Sequence, residues 1–181
     1  EAFNFGTGKF SKLNGKTVWL QRLSYVGELG WEIFIPRESA VHVLKDIQLA
    51  GKTFDLSNVG LHAVNSLRLE KGFRHWGHDI GTEDNLHQAG LSFTAKPDAS
   101  DFIGRDAFLK SDNSKKTERR LVQFALQDPD LFLYHNEPIV VNETIVGYLT
   151  SAMYGHSIGS SIGMGYVNLP NLSEETLLKS K

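Results

Sequence analysis

Two stretches of alternating apolar and polar residues, joined by a short glycine-containing segment, constrain the fold of this chain most. Residues 16–25 (KTVWLQRLSY) alternate, and WEIFIP alternates again until Pro36. Period-two patterning is typical of half-buried strands, and the glycines of the intervening VGELG can supply turn geometry. We predict a β-hairpin that places Tyr25 and Glu32 at the two ends of one connection, close enough to line the same pocket.

Apolar residues at helical spacing follow the predicted hairpin in the sequence. One helix is expected over residues 38–49, with Gly51 as its stop. A second is expected from Ser57, as N-cap, to Lys71, with an apolar stripe of Leu61, Val64 and Leu67. Strands followed by helices that cover one face predict an α+β domain, an antiparallel sheet with helices.

The pattern changes in the second half of the chain. A short helix is predicted from Asp101 (FIGRDAFLK), and a polar stretch follows it. RRLVQFAL, EPIVVNETIVGYLTS and GMGYV are then short β-rich runs broken by Gly, Asn-Glu and Asp-Pro turns, which predicts a small all-β domain of the barrel type. We expect domains at residues 1–110 and 119–181. The abrupt ends at Glu1 and Lys181 predict a piece of a larger protein.

The composition of the chain argues against several classes of partner and site. The 181 residues are 40% hydrophobic and 22% charged, which is ordinary for a folded globular protein. A net charge of −2 favours neither nucleic acid nor an anionic membrane as a partner, and the basic cluster around Lys115 and Arg119 is interpreted as a solvated linker. No apolar run is long enough to span a bilayer. The absence of cysteine excludes disulfides, thiolate metal sites and cysteine nucleophiles.

Glu32 is the candidate with the most specific chemistry. In a strand it shares a face with Phe34, and Tyr25 lies across the hairpin. A carboxylate can accept a ring N–H and an exocyclic NH₂ from a flat heterocycle such as a pterin, while aromatic rings stack on its faces. The alternative is that Glu32 is merely the solvent-facing residue of a half-buried strand.

Other motifs are weaker. His75, His78 and His87 lie among acidic residues, but they follow no metal-ligand signature, so packing around a loop is the favoured interpretation and no metal is predicted. Residues 155–159 (GHSIG) match Gly-x-Ser-x-Gly, yet a glycine-rich strand pattern follows them where a hydrolase needs a helix. The chain has no Walker A or GxGxxG motif, which argues against nucleotide or FAD binding by these residues.

Six sequence segments, in this order along the chain, resemble those of a known protein family. They are RLSYVGELGWEIFIP, SLRLEKGFRHWGHDI, LHQAGLSFTAK, DFIGRDAFL, RRLVQFAL and VGYLTSAMYGHSIGSSIGMGYV. Together they resemble the T-protein (aminomethyltransferase) family of the glycine cleavage system, in particular the C-terminal region of sarcosine and dimethylglycine dehydrogenases. The resemblance implies that Tyr25 and Glu32 contact tetrahydrofolate, that Ile33 and Phe34 border it, and that Phe93 packs on it.

Two departures from the family pattern matter. Phe93 stands where the family has Trp or Tyr, so stacking is kept and a polar donor is lost. Val64 stands where T-proteins have an arginine, which favours the dehydrogenase branch, and Arg68 keeps a second arginine as either a ligand or a structural residue. The family's catalytic aspartate falls upstream of Glu1. No catalytic residue is therefore predicted in this chain.

The resemblance also implies a function for the complete protein. A separate FAD domain would oxidise an N-methyl amine such as sarcosine or dimethylglycine, and tetrahydrofolate in this module would capture the one-carbon unit. The partners would be folate, that one-carbon unit and the rest of the enzyme, in the mitochondrial matrix or the bacterial cytoplasm. The alternatives are a non-catalytic relative, like the regulatory subunit of pyruvate dehydrogenase phosphatase, and another folate-dependent demethylase.

Overall fold

A computed structural model describes residues 3–99, 101–112 and 119–168. The chain divides into two compact units, Glu1–Phe73 and Arg74–Lys181. The first contains strands and helices, and the second is dominated by an antiparallel sheet. The predicted α+β class is confirmed, with a small sheet domain in the second half of the chain.

The first unit begins with a three-stranded antiparallel sheet in the order β1-β2-β3. Its strands are Gly8–Leu13, Lys16–Gln21 and Glu32–Phe34. Asn14 and Gly15 connect β1 to β2, both with positive φ (46° and 78°), as a two-residue hairpin turn requires. Strand β1 was not predicted from the sequence, although Asn-Gly between two strands is the strongest short-range hairpin signal.

The predicted pairing of β2 with β3 is confirmed, but both strands are shorter than expected. Trp19 pairs with Phe34, and Gln21 pairs with Glu32. The chain leaves the sheet after Gln21, where the backbone N–H of Leu23 donates to the Gln21 carbonyl (3.0 Å). Tyr25 therefore lies in a loop, residues 22–31, and not on a strand.

Two α-helices complete the first unit, α1 (Ala40–Gly51) and α2 (Leu61–Glu70). The expected N-cap at Ser57 is wrong, because Gly60 precedes the first turn of α2 with extended backbone, and its carbonyl accepts from Val64 N–H (3.2 Å). The predicted stripe is also wrong at Leu61, which is 85% exposed, since the buried side of α2 carries Ser66, Arg68 and Leu69. The buried apolar residues of this unit include Val18, Val43 and Leu69.

The second unit contains a helix and a four-stranded antiparallel sheet in the order β4-β7-β6-β5. The helix α3 is Arg105–Asp112, and the strands are β4 (Arg119–Ala125), β5 (Pro138–Val141), β6 (Thr144–Gly155) and β7 (Ser160–Asn168). This agrees with the helix and the β-rich runs predicted from the sequence. Most of the predicted polar stretch lies outside the described residues, which resume at Arg119. The buried apolar residues of this unit include Leu149, Ile162, Met164 and Val167.

Two turns of this sheet bear on the sequence motifs. Asn142 and Glu143 both have positive φ (49° and 64°) and join β5 to β6, as the Asn-Glu signal predicted. The GHSIG segment connects β6 to β7 and is therefore flanked by strands on both sides. A nucleophile elbow needs a strand-to-helix turn, so this geometry does not match it. Within the described ranges, no helix has the length and apolar character needed to cross a membrane.

Candidate ligand site and family membership

Glu32 lies at the start of β3, an edge strand of the first unit's sheet. The antiparallel register pairs Glu32 with Gln21 and Phe34 with Trp19, while Ile33 pairs with Leu20. Because neighbouring side chains on a strand alternate between faces, Glu32 and Phe34 share one face and Ile33 projects from the other. The predicted site residues on β3 are thus split between the two faces of the sheet.

The face that carries Glu32 is rich in aromatic rings. Phe10 of β1 contacts Trp19 edge to face, with the ring centroids 4.9 Å apart, and both Phe10 and Phe34 are exposed. The Glu32 side chain is half-buried. This strand edge therefore combines a half-buried carboxylate with apolar rings, a set that can accept paired N–H groups of a planar heterocycle and contact its faces.

Tyr25 lies in the loop that leads from β2 to Glu32. Its ring stacks on that of Phe73, with the centroids 6.3 Å apart and an interplanar angle of 21°. The start of the loop is held to its end by Arg22, whose Nη1 donates to the Gly30 carbonyl (3.1 Å) and whose guanidinium lies 5.2 Å from the Trp31 ring. That Tyr25 and Glu32 line a common pocket stays a prediction.

Phe93 belongs to the second unit, whereas the other four predicted site residues belong to the first. It lies in a short 3-10 turn, Ser92–Thr94, and is 75% exposed. Ser92 beside it hydrogen-bonds to Nδ1 of His87 (2.7 Å), which fixes the turn. Phe93 is therefore an accessible aromatic side chain on an anchored backbone.

Arg68 is buried in the first unit. Its Nε donates to Oδ1 of Asn65 (2.7 Å), and its Nη1 donates to the carbonyl of Phe73 (3.0 Å). A buried guanidinium needs such partners, so these contacts support the structural interpretation of Arg68 over a ligand role. Val64, at the position of the other family arginine, is half-buried.

A polar cluster in the second unit was not predicted. A cavity of about 310 Å³ is lined by Trp76, Asp84, Arg119 and Tyr166, among others. Arg119 begins β4, as the RRLVQFAL run predicted and contrary to the interpretation of the basic cluster as a linker. Its Nη2 lies 3.0 Å from Oδ1 of Asp84, and its guanidinium lies 3.8 Å from the Tyr166 ring centroid. Burial, and after it the negative charge of Asp84, raise the pKa of Tyr166.

The histidines considered as metal ligands pack around a loop of the second unit. The rings of His75 and His78 are 4.5 Å apart. Asp79 is fully buried, and it accepts hydrogen bonds from the backbone N–H of His75 (2.8 Å) and from the Thr150 hydroxyl on β6. In the parts of the chain that the structure describes, no three or more His, Asp or Glu side chains are arranged to hold a metal ion.

Family models match both halves of the chain. The GCVT N-terminal domain matches residues 1–99, and the glycine cleavage T-protein C-terminal barrel domain matches residues 119–179. The chain belongs to the glycine cleavage T-protein family. The fold agrees with this assignment, because a solved structure of the aminomethyltransferase T of Bartonella henselae superimposes with a TM-score of 0.79 at 29% identity, over 92% of this chain and 45% of that one.

T-protein relatives include longer enzymes. The chain is 41% identical to 4-methylaminobutanoate oxidase (formaldehyde-forming) of Paenarthrobacter nicotinovorans, over 91% of its length and 20% of the oxidase. It is 40% identical to human mitochondrial sarcosine dehydrogenase, over 94% of its length and 18% of that enzyme. The chain thus spans about a fifth of the length of these relatives. The T-protein domain to which it corresponds occurs in N-methyl amine oxidases and dehydrogenases as well as in aminomethyltransferases.

Proposed function

We propose that this T-protein chain binds tetrahydrofolate and serves one-carbon transfer in an FAD-dependent sarcosine or dimethylglycine dehydrogenase-like enzyme. One observation carries the proposal: Glu32 is a half-buried acid on an edge strand, on the same face as exposed aromatic rings. An acidic group beside aromatic surface suits the N–H edge and the faces of a pterin. Membership in the T-protein family supports this ligand over other flat heterocycles.

Each proposed contact has a separate task. Glu32 would accept the ring N–H and the exocyclic NH₂ of the pterin, and this pair of charge-assisted hydrogen bonds would fix the orientation of the ring. Phe34 and Tyr25 would supply apolar surface that excludes water, Ile33 would border the ligand as well, and Phe93 would pack on it. Bound tetrahydrofolate supplies the nitrogen atoms that accept the one-carbon unit. The work of these residues is to position that group, which is a large source of rate enhancement.

The donor and the redox chemistry would come from outside this chain. We propose an N-methyl amine as donor, oxidised at an FAD domain elsewhere in the complete protein, with mitochondria or the bacterial cytoplasm as the compartment. A non-catalytic regulatory relative is the weaker candidate, because the relatives at 41% and 40% identity are an oxidase and a dehydrogenase. Another folate-dependent demethylase would use the same folate contacts.

A calorimetric titration with 5-formyltetrahydrofolate tests the proposal. We expect saturable binding to the natural gene product and a loss of affinity of about tenfold or more in Glu32→Gln, because a hydrogen bond to a charged group is worth about 1.5–3 kcal/mol. Glu38→Gln is the matched control, since Glu38 is an exposed acid in the 3-10 turn after β3. A folded natural gene product that binds no folate would contradict the proposal.

A further inference from the structure

The loop that carries Tyr25 rests on the segment that directly follows helix α2. Gly27 has a φ of 73°, and a Cβ built on it would lie 2.2 Å from Cγ and 2.8 Å from Cδ of Lys71. The backbone of the loop therefore lies directly against the aliphatic stem of Lys71. Only glycine satisfies both conditions, because it tolerates the left-handed backbone and leaves room for the stem.

Two further contacts join the same segments. Nζ of Lys71 lies 3.1 Å from Oε1 of Glu28, but both side chains are substantially exposed (44% and 63%). Exposed pairs of this kind contribute little, because solvent screens the charges and ordering the side chains costs entropy. The stacking of Tyr25 on Phe73 is the second contact. The steric contact at Gly27, more than the ion pair, therefore fixes the position of the loop.

The segment on which the loop rests is tied to the end of α2 by hydrogen bonds. Gly72 (φ 67°) reverses the chain after α2, and Phe73 N–H donates to the Arg68 carbonyl (2.9 Å). Nη1 of Arg68 in turn donates to the Phe73 carbonyl (3.0 Å). Phe73 and Lys71 are thus held by the end of α2. The loop therefore packs on a segment that is itself hydrogen-bonded to α2.

We propose that Lys71 is a positioning residue for the Tyr25 side of the ligand site, and that it acts through its aliphatic stem and not through its charge. The inference rests on the proposed function, because it takes folate as the ligand of Tyr25. When a ligand binds to a loop that is already ordered, binding does not cost the conformational entropy of ordering that loop. Without the stem contact, the loop would hold the Tyr25 side chain less firmly in the position that contacts the ligand.

Four variants of the natural gene product separate the effect of the aliphatic stem of Lys71 on binding from the effect of its charge. Lys71→Met keeps the stem and removes the charge, Lys71→Ala removes both, Gly27→Ala introduces the clash, and the double variant combines the last two. Lys12→Met, on the exposed strand β1, is the control for charge removal. For 5-formyltetrahydrofolate we expect a Kd within about twofold of wild type for both methionine variants, about fivefold weaker for Lys71→Ala and more than about tenfold weaker for Gly27→Ala. The double variant should bind more tightly than Gly27→Ala, because the contacts with Cγ and Cδ are removed and only the contact with Cβ of residue 71 (2.9 Å) remains.

A second measurement follows the loop without a ligand. Fluorine NMR of protein labelled with 3-fluorotyrosine reports on Tyr25, whose signal is assigned from Tyr25→Phe. We expect this signal to shift or broaden in Lys71→Ala and Gly27→Ala and to stay unchanged in Lys71→Met. Equal thermal midpoints for Lys71→Ala and wild type would separate a local effect from general loss of stability.

The outcomes distinguish this proposal from the function on which it rests. If Lys71→Met weakens binding as much as Lys71→Ala, the charge is what matters and the proposal is overturned. It is also overturned if Lys71→Ala leaves both the Kd and the Tyr25 signal at their wild-type values. A wild-type protein that binds no folate would overturn the proposed function and the ligand role of Lys71 together, and an unchanged fluorine signal would then reject the loop contact too.

Discussion

At the scale of single residues, Tyr166 has the most unusual environment in the second unit. It is buried on β7, its ring lies under the guanidinium of Arg119, and Asp84 is nearby. Burial disfavours the charged phenolate, and the negative charge of Asp84 disfavours it further, so that the pKa of Tyr166 is raised above its ordinary value. A raised pKa in the folded state makes stability depend on pH.

This dependence gives a prediction for alkaline solution. The contribution of Tyr166 is fully present below the pKa of an unfolded tyrosine, about 10, and it is lost as pH rises from there through the higher pKa of the folded state. We expect the free energy of unfolding, measured with urea at several values between about pH 8 and 11, to fall less steeply in Tyr166→Phe than in wild type. Tyr148→Phe, at an exposed position of β6, should keep the wild-type slope. Equal slopes for wild type and Tyr166→Phe would contradict this account of the cluster.

Some residue contacts were predictable from the sequence and others were not. The common face of Glu32 and Phe34 followed from strand periodicity, which acts between neighbours in the chain. The partner of Arg119 did not, because its ion pair with Asp84 joins a strand to a distant loop. The charged and polar residues around Arg119 in the sequence predicted a solvated side chain, and nothing in its own segment indicated the buried carboxylate of Asp84.

At the scale of elements, the close pairing of β6 with β7 depends on glycine. A Cβ built on Gly147 would lie 1.8 Å from the carbonyl oxygen of Tyr166, which belongs to the neighbouring backbone. A Cβ on Gly163 would instead meet the methyl groups of Leu149 at about 3.0 Å. Backbone cannot move aside without breaking the strand pairing, whereas a leucine side chain can rotate.

We therefore expect very different costs from the same chemical change at these two positions. Gly147→Ala should lower the free energy of unfolding by more than about 3 kcal/mol or prevent folding, because it forces two paired strands apart. Gly163→Ala on β7 should cost no more than about 1 kcal/mol, since Leu149 can adjust. Urea unfolding followed by circular dichroism measures both. Similar losses in the two variants would show that the approach of β6 to β7 is not the constraint described above.

Element positions were largely predictable, and element ends were less so. The apolar spacing of α1 and the β-rich runs of the second half located these elements correctly. The start of α2 was misplaced, because Ser57 has the chemistry of an N-cap while the chain begins its helical turn only after Gly60. A capping residue indicates where a helix can begin, but packing of the buried residues selects the start that is used.

At the scale of the whole molecule, apolar side chains are distributed unevenly between the two units. The sheet of the second unit buries its own set, including Leu121, Leu149 and Ile162. Among the described residues, both units leave large apolar side chains exposed, but the shorter first unit leaves more of them, among them Phe5, Phe10, Phe54 and Leu61, whereas the second unit exposes Phe93, Ile103 and Phe132, among others. Exposed apolar surface of this extent marks interaction sites or a tendency to aggregate.

Separate expression of the two units tests this difference. We expect residues 74–181 to unfold cooperatively on heating and to stay monomeric, because the sheet has its own core. We expect residues 1–73 to bind a hydrophobic dye strongly and to self-associate at the same concentration, because their apolar surface is open to water. Size-exclusion chromatography and dye fluorescence provide the measurements. A monomeric first unit without dye binding would contradict the prediction.

The contact of Arg22 with Trp31 has a practical consequence for spectroscopy. The chain has three tryptophans, of which Trp31 directly precedes Glu32 and carries a guanidinium close to its ring. Indole emission is sensitive to nearby charge and to exclusion of water, so Trp31 makes the loop a natural optical probe of events at the strand edge. The emission that disappears in Trp31→Phe isolates this signal from those of Trp19 and Trp76. The loop thus contains its own reporter, and its movements can be followed in real time without an added label.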